Sequence, residues 1–285
     1  MDELTDLTGL RALVTGASRG IGAALALALA DEGVAVACAA RATAERPQRT
    51  PGTLDDTVGR IRDAGGRAVA VPTDLSDPDA VVAMVERAAG ELGGLDLLVN
   101  NAAVTFVGDL DIPLARHDLV MAVNLQAPLL ALRAARPHLE ASGGAVLNVS
   151  SVAALYPHNG LMSYGISKIG LERLTVDAAR QLHGAGVAVN CFRIDVPVAS
   201  EGFVANTPGM DRSSWEPCEV AAEGMVWMLR QPRSYTGRLE SMFHLREREG
   251  IMATQITGAP IPRPPVHLWD GLAPVGDEVF REPHP

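Results

Sequence analysis

Cysteine and aromatic residues are scarce in this sequence, and their scarcity argues against several classes of protein. The cysteines Cys38, Cys191 and Cys218 are odd in number and far apart, and they form no CxxC pair. This usage argues against a disulfide framework and a structural zinc, and it fits a reducing cytoplasm, where we expect the protein to reside. Aromatic residues make up only 4% of the chain, which argues against an all-β sandwich and favours helices packed on a buried sheet.

Basic residues are also fewer than acidic ones. The chain has 34 acidic and 24 basic residues, a net charge of -10, and a pI near 5.2. A general affinity for nucleic acid or anionic lipid is therefore not expected. The N-terminus is acidic where a signal peptide would be basic, and no uncharged apolar run approaches the roughly 20 residues of a membrane span. We expect neither a nucleic acid nor a membrane as partner.

Metal ligands show no clustering either. The histidines share no ligand spacing, and we interpret His117, His138 and His183 as surface or core residues. His158 alone is expected near the mouth of a site. Cys191 is interpreted as packing material on a buried strand. We therefore expect no metal site.

What the sequence does contain is an alternation of short β-branched or alanine-rich runs with longer segments of helical period. Strands are predicted at 11–15, 34–39, 68–71, 95–99, 145–149 and 187–192, and helices at 21–32, 54–63, 77–92, 114–139 and 163–182. Six such strands predict an α/β fold of the Rossmann type, a doubly wound parallel sheet with helices on both faces.

The 285 residues fit one large domain, which we predict to span residues 1–257. A surface loop is expected at 42–52, and a mobile loop covering a substrate at 197–215. Seven prolines follow Gly258, so residues 258–285 are expected to form an extended or partly disordered tail.

A glycine-rich loop directly follows the first predicted strand. It reads Thr15-Gly16-Ala17-Ser18-Arg19-Gly20-Ile21-Gly22 and leads into a helix. Glycine lets the backbone approach a pyrophosphate, which free N–H groups and the positive end of the helix dipole then hold. With the strand before it and the helix after it, the loop predicts dinucleotide binding rather than a merely structural turn.

The end of the second strand distinguishes between the two nicotinamide dinucleotides. An acidic residue there would bind the ribose 2'-hydroxyl, but the strand ends Ala39-Ala40-Arg41. Arg41, with Arg19 on the other side, offers guanidinium groups that match phosphate geometry. These residues favour NADP over NAD; the alternative is that one or both arginines are solvated surface residues.

Tyr164 and Lys168 are four positions apart in a segment of helical period, which places the phenol and the ammonium on one helix face. A tyrosine with a pKa of about 10 needs a nearby positive charge to work as a general acid or base at neutral pH. Taken alone, this spacing is common by chance and is more often a surface pair.

Further residues give that pair its context. Ser151 ends the fifth strand thirteen positions before Tyr164, Asn124 lies forty positions before it, Asn101-Ala102 follow the fourth strand, and Asp74-Leu75 follow the third. With the glycine loop, this order and spacing resembles the short-chain dehydrogenase/reductase family over residues from about 7 to 245. Pro51-Gly52-Thr53 before a helix resembles its hydroxysteroid-dehydrogenase-like branch.

The resemblance implies a role for each matching position. Tyr164 would exchange a proton with the substrate oxygen, Ser151 would hydrogen-bond that oxygen, and Lys168 would hold the nicotinamide ribose and lower the pKa of the tyrosine. Asn124 would anchor a water linking Lys168 to solvent. The implied cofactor-binding residues are Gly16, Ser18, Arg19, Gly20, Ile21, Gly22, Arg41, Asp74, Leu75, Asn101, Ala102, Tyr164, Lys168, Ile194 and Val196. A homodimer or homotetramer built from the helices at 114–139 and 163–182 is also implied.

The sequence departs from the family pattern after the sixth strand. Ile194-Asp195 replace the usual Pro-Gly of the turn that faces the nicotinamide. Asp195 is expected to tune the site, to pair with Arg193, or to cap a turn. Ala103 replaces a common glycine, and the usual Asp-Gly-Gly is missing after Thr236-Gly237.

These observations predict an NADP-dependent oxidoreductase that interconverts a secondary alcohol and a carbonyl on a small organic substrate. An apolar lining is expected from Tyr156, Leu161, Met162, Phe203 and Trp215, although each could equally serve the core. The loop at 197–215 is expected to contribute Phe203, Val204 and Met210. The altered turn at Ile194-Asp195 leaves open a dinucleotide-binding regulator without turnover. A dehydratase or epimerase on the same scaffold is a third possibility.

Overall fold

A seven-stranded, wholly parallel sheet forms the centre of the molecule in a computed structural model that describes residues 3–155 and 160–253. The spatial order of the strands is β3-β2-β1-β4-β5-β6-β7. Their bounds are β1 Arg11–Thr15, β2 Ala35–Ala40, β3 Ala68–Pro72, β4 Leu97–Asn100, β5 Ala145–Ser151, β6 Ala188–Ile194 and β7 Leu239–Ser241.

Helices connect the strands and cover the sheet. Their bounds are α1 Gly20–Asp31, α2 Leu54–Asp63, α3 Pro78–Leu92, α4 Leu114–Met121, α5 Ala127–Ser142, α6 Met162–Leu182, α7 Glu201–Asn206, α8 Cys218–Leu229 and α9 Met242–Glu249. Local sequence explains several starts: Thr53 forms a capping box with Asp56 at α2, and Asp77 caps α3 just before Pro78.

The core lies on both faces of the sheet, because successive side chains of a strand point to opposite sides. On β1, Val14 belongs to the cluster formed with α1, α8 and α9, whereas Leu13 belongs to the cluster formed with α3, α5 and α6. Both faces are therefore covered, which explains why the strands read as nearly continuous apolar runs.

The Rossmann-type α/β fold predicted from the sequence is confirmed, as is its organisation as a single domain. The six predicted strands are present within two residues of their expected ends. The seventh was missed, because Leu239–Ser241 is a three-residue segment with no readable period. The predicted helix at 114–139 is divided into α4 and α5 by a π-helical turn at Ala122–Gln126, and residues 258–285 lie outside the described part of the chain.

The stretch Leu114–Ser142 is long and apolar enough to cross a membrane by length and composition alone. However, 44% of its most apolar window is buried inside the fold. Core helices of globular proteins pass the same test, so this stretch adds little in favour of a membrane partner.

The strand order reverses between β1 and β4, whose carboxyl ends therefore diverge into helices on opposite faces. In open α/β sheets, ligands bind in the crevice at this point. The crevice is closely packed in this structure, and its lining is formed by Thr15, Leu75, Met84, Asn100, Ala102, Val123, Ala127, Pro128 and Ala131.

Candidate active site

The glycine loop lies between β1 and α1 and packs tightly against the end of β4. Gly16 has a φ of 71°, in the left-handed region, and a Cβ atom there would come within 2.9 Å of Asn101 Nδ2. A Cβ atom on Gly22 would overlap Asn101 Nδ2 and the carbonyl of Gly16. Both positions therefore require glycine, because the neighbouring atoms leave no room for a side chain. Helix α1 begins directly at this loop.

Thr15 holds the β4 side of this loop, a role that the sequence analysis missed. Its Oγ1 accepts hydrogen bonds from the backbone N–H groups of Asn101 at 3.0 Å and Ala102 at 3.1 Å. Asn101 Nδ2 in turn donates to the Thr15 carbonyl at 2.9 Å. Because threonine is also a common strand residue, its position as the last residue of β1 was the only available signal.

The two arginines expected near a 2'-phosphate are placed differently. Arg19 donates to the carbonyls of Pro51 at 2.7 Å and Gly52 at 2.8 Å, so it ties the 42–52 loop to the glycine loop. Arg41 is exposed just after β2, close enough to lower the pKa of Asp74, although hydrogen bonds from Ser76 lower it more. Arg41 is therefore better placed than Arg19 to meet a phosphate.

The residues expected around the adenine and ribose lie at the same edge of the sheet. Leu75 and Ala102 line the crevice itself. Asp74 is occupied locally, because its Oδ1 accepts from the N–H of Ser76 at 3.0 Å and from Ser76 Oγ at 2.7 Å. Ser18 is buried within the glycine loop.

Tyr164, Lys168 and Ser151 come together where α6 crosses the carboxyl end of β5. The Ser151 hydroxyl hydrogen-bonds the phenol of Tyr164 and accepts from the N–H of Ala153 at 3.2 Å. Lys168 Nζ lies 5.5 Å from the centre of the Tyr164 ring and donates to the carbonyl of Val149 at 2.7 Å.

The expected lowering of the tyrosine pKa by Lys168 is not what the protein alone shows. Burial raises the pKa of Tyr164, and the hydrogen bond from Ser151 only partly offsets that effect. Burial also lowers the pKa of Lys168 to about 8. The physical reason is that the ammonium points to a backbone carbonyl and both groups lose hydration, so desolvation outweighs their mutual attraction.

Asn124 lies in the π-helical turn between α4 and α5 and is fully buried. Its side chain accepts from the N–H of Val104 at 2.8 Å and donates to the Val104 carbonyl at 2.9 Å and to Ser167 Oγ at 3.1 Å. It therefore connects the segment after β4 to α6 one residue before Lys168. Single-turn π-helices often mark functional sites.

Of the three roles expected for Asp195 in the Ile194-Asp195 turn, the structure shows a capping role. Asp195 Oδ1 accepts from the N–H of Phe243 at 3.0 Å, and Oδ2 accepts from Ser241 Oγ. The carboxylate thus caps the start of α9, while Arg193 pairs with Glu172 instead. Val196 is buried in the core and Ile194 packs against it, which leaves backbone atoms of this turn as the groups able to meet a cofactor.

The loop after the turn contains the short helix α7. Phe203 on α7 stacks on Trp215 with ring centres 4.6 Å apart, and Met210 is exposed. Leu161 and Met162 begin α6 beside Tyr164. Tyr156 and His158, the other residues expected at the mouth, lie outside the described residues.

The chain belongs to the short-chain dehydrogenase family, whose model matches residues 11–196. Within that family its sequence is similar to the hydroxysteroid-dehydrogenase-like branch. The hydroxysteroid dehydrogenase-like protein 2 of Xenopus tropicalis is 32% identical over 251 residues, which is 86% of this chain and 59% of that protein. The chain thus spans about three fifths of the length of this relative.

Solved structures show the same relationship. A short-chain dehydrogenase from Burkholderia cenocepacia, solved with NADP, is 34% identical with a TM-score of 0.74, covering 83% of this chain and 97% of that one. A metagenomic short-chain oxidoreductase, also solved with NADP, is 33% identical with a TM-score of 0.68, covering 83% and 99%. Both structures thus belong to the class of short-chain dehydrogenases and oxidoreductases whose family model matches this chain.

The residues present fit a nicotinamide dinucleotide. A side chain at Gly16 or Gly22 would collide with Asn101, α1 begins at this loop, and Thr15, which directly precedes the loop, also lines the crevice at the strand reversal. Gly16, Gly20, Ile21 and Gly22 would hold the pyrophosphate, and Leu75 and Ala102 the adenosine half.

Proposed function

We propose that this protein is an NADP(H)-dependent oxidoreductase that interconverts a secondary alcohol and a ketone on an apolar organic molecule. The observation that carries the proposal is the meeting of Tyr164, Ser151 and Lys168 at the carboxyl edge of the sheet, on the same side as the glycine loop. The fold by itself would not support a particular reaction, because this architecture serves many functions.

The chain's own residues supply binding, orientation and proton transfer. When bound, the nicotinamide ring supplies or accepts the hydride. The Tyr164 hydroxyl donates a proton to the carbonyl oxygen in reduction, or removes one from the alcohol in oxidation. The Ser151 hydroxyl donates a hydrogen bond to the same substrate oxygen and stabilises the charge that develops there. The Lys168 ammonium favours the phenolate form of Tyr164.

The proposed preference for NADP rests on the positive charge of Arg41, which directly follows β2. Arg41 offers a planar, permanently charged guanidinium at the exposed edge, and the strand ends without a carboxylate. The two relatives solved with NADP agree with this preference.

The apolar nature of the substrate rests on the side chains of the loop after β6. Phe203 and Met210 present an exposed apolar surface, and Phe203 is held in place by stacking on the buried Trp215. An organic substrate with a hydrocarbon body would bury this surface as the loop closes.

The proposal is tested by replacing Tyr164 with phenylalanine. Purified protein is mixed with NADPH and a panel of ketones, and the nicotinamide absorbance is followed. We expect the wild type to consume NADPH and Tyr164→Phe to lose at least about a hundredfold in kcat, as for other general acids. Tyr164→Phe should still bind NADPH, because the glycine loop and Arg41 are unchanged. Tight binding without consumption over the whole panel would instead support a regulator, and product without net cofactor change a dehydratase or epimerase.

We also propose that the protein is a homodimer or homotetramer and that it resides in the cytoplasm. The first part is supported by exposed apolar side chains on the helices that pack against the site, Leu114 on α4, Leu129 on α5, and Ile166 and Ile169 on α6. The second is supported by the three free cysteines.

A further inference from the structure

A buried ion pair lies beneath the reacting residues and is not used by the chemistry described so far. Glu172 is on α6, one helical turn after Lys168, and is only 4% exposed. Its Oε1 accepts from Arg193 Nε at 2.9 Å and from Ser150 Oγ at 2.7 Å, and its Oε2 accepts from Arg193 Nη2 at 2.8 Å.

This pair joins the three elements that carry the site. Glu172 belongs to the helix of Tyr164 and Lys168, and Ser150 precedes Ser151 on β5. Arg193 lies opposite Ser150 in the β5–β6 register and directly precedes the Ile194-Asp195 turn. A bidentate arginine–carboxylate contact fixes both distance and orientation, so it can hold the proton-transfer residues in register with the turn that faces the nicotinamide.

The pair also determines the charge around Lys168, which is 2% exposed. The groups that interact with this lysine are Tyr164 and Glu172 on α6 and Cys191 on β6, and Glu172 and Cys191 also interact with Arg193. The neighbouring elements contribute neutral polar groups, namely the Val149 carbonyl, Ser151 and Asn124, and His117 on α4 contacts Ser163 rather than Lys168. Glu172 is the carboxylate that interacts with both buried cations, Lys168 and Arg193, whereas Asp195 interacts with Arg193 and His244.

We propose that Glu172 and Arg193 are positioning residues, a pair that keeps the Lys168 ammonium charged inside the protein and fixes the end of β6 that presents residues 194–196. This inference rests on the proposed function, since it assigns a task to Lys168. Arg193 alone would oppose the charge on Lys168, and Glu172 alone would be left with Lys168 as its nearest cation. The two single substitutions therefore have opposite electrostatic consequences.

Lys168 is the only lysine in the chain, the other basic residues being arginine, so its titration can be measured directly. Protein carrying 13C-labelled lysine gives one side-chain signal, whose chemical shift is followed against pH. We expect Glu172→Gln to raise the dissociation constant of the ammonium about tenfold, because Lys168 then loses its nearby carboxylate while Arg193 stays charged and is compensated only by Asp195. We expect Arg193→Met to lower that constant by a similar factor, because Glu172 then favours the charged lysine.

The pH dependence of turnover should follow the same signs. The alkaline limit of kcat should move to lower pH in Glu172→Gln and to higher pH in Arg193→Met. Arg173 and Asp177 provide the matched control, an exposed ion pair on the same helix with an Nε to Oδ2 distance of 2.7 Å. Neither Arg173→Met nor Asp177→Asn should change the lysine titration by as much as twofold.

A loss of packing alone would alter both single variants in the same direction, and this result, or no change in either folded variant, would overturn the proposal. If a single variant does not fold, as judged by near-UV circular dichroism, the lysine titration is measured instead in the double variant Glu172→Met/Arg193→Met. Its lysine should titrate within about threefold of the wild type, because both charges are removed together. A larger shift would count against the proposal. The lysine titration does not require turnover. If the two variants shift the lysine titration in opposite directions but no ketone is reduced, the proposed reaction is refuted and the proposed role of this pair is not.

Discussion

Lys168 shows how much of this protein's chemistry depends on the choice of a single side chain. Every other basic residue in the sequence is arginine, and the one lysine is among the largest fully buried side chains. An arginine cannot lose its proton in a protein, whereas the pKa of a buried lysine responds to its surroundings. The position therefore calls for a charge that the neighbouring residues can adjust.

Gly22 is predicted to be irreplaceable for steric reasons. Gly22→Ala should lower the free energy of unfolding by about 1–3 kcal/mol, because the added methyl group overlaps Asn101 and the Gly16 carbonyl. It should also weaken NADPH binding, because the loop must shift. Urea denaturation and cofactor titration measure the two effects.

The control for that substitution is Gly90 on α3, where an added Cβ atom meets nothing within 4 Å. Gly90→Ala should raise the free energy of unfolding by about 0.5–1 kcal/mol through helix propensity. Equal effects at the two glycines would contradict the steric explanation.

Arg41 and Arg19 are predicted to differ in their effect on cofactor choice. Arg41→Ala should weaken NADPH binding about 10- to 100-fold and leave NADH binding nearly unchanged, because it removes a charged contact to the 2'-phosphate. Isothermal titration with both dinucleotides measures this difference.

Arg19→Ala should weaken both dinucleotides alike, because Arg19 holds the backbone at Pro51 and Gly52. If Arg19→Ala alone reduced NADPH binding selectively, the assignment of Arg41 to the phosphate would be wrong.

At the scale of elements, the connections between strands carry the site, and the strands themselves hold those connections at fixed separations. The π-helical turn at Ala122–Gln126 directs Asn124 inward, and the cap that Asp195 gives to α9 anchors the chain just after β6. Both features are irregular, and both lie next to residues of the proposed site.

The opposite edge of the sheet offers a test of what ties β1 to β4. Asp96 accepts hydrogen bonds from Arg11 N at 2.8 Å, Nε at 2.7 Å and Nη2 at 2.7 Å. Burial alone would raise the pKa of Asp96, but these bonds prevail and the pKa lies below its usual value of 3.8. Asp96→Asn should therefore lower the free energy of unfolding by about 1–3 kcal/mol at pH 7.

The sign of the pH dependence follows from that lowered pKa. The stabilisation by Asp96 is present above pH 3.8 and is lost as the pH falls through the pKa of the folded state. The difference between the wild type and Asp96→Asn should hence shrink in acid, as measured by urea denaturation at pH 7 and below pH 4. Asp177→Asn, at an exposed pair, should cost less than about 1 kcal/mol at either pH. A difference for Asp96→Asn that grew in acid would contradict the assignment.

At the scale of the whole molecule, four of the exposed large apolar side chains lie on the helices of the proposed site, namely Leu114 on α4, Leu129 on α5, and Ile166 and Ile169 on α6. Because α6 also carries Tyr164 and Lys168, association of two copies through these side chains would hold that helix in place. A twofold axis would bring the same patch of two copies together.

We predict that Ile166→Glu/Ile169→Glu converts the oligomer to smaller species, because burying two carboxylates at such an interface is costly. Light scattering coupled to size-exclusion chromatography measures the mass. Val82 on α3 is also an exposed apolar residue, and Val82→Glu should leave the mass unchanged. A monomeric wild type would refute the proposed assembly.

The sequence alone was sufficient for the class of fold and for most residues of the site. Regular alternation of strands and helices, with glycines between a strand and a helix, leaves few topologies open, and motifs such as Tyr164 and Lys168 keep their spacing along one helix. The Rossmann-type sheet and the family are confirmed. The site residues are brought to one edge of the sheet, while their roles remain predictions.

Only the tertiary structure decided how charges that are distant in sequence are paired. Arg19 reaches the 42–52 loop, Asp195 caps α9, and Arg193 meets Glu172 across 21 positions of the chain. Such partners depend on which elements pack together, and local periodicity carries no information about them. The effect of burial, which raises the pKa of Tyr164 in the protein without cofactor, could not be predicted from sequence either, because desolvation is a property of the packed molecule and not of the spacing between two residues.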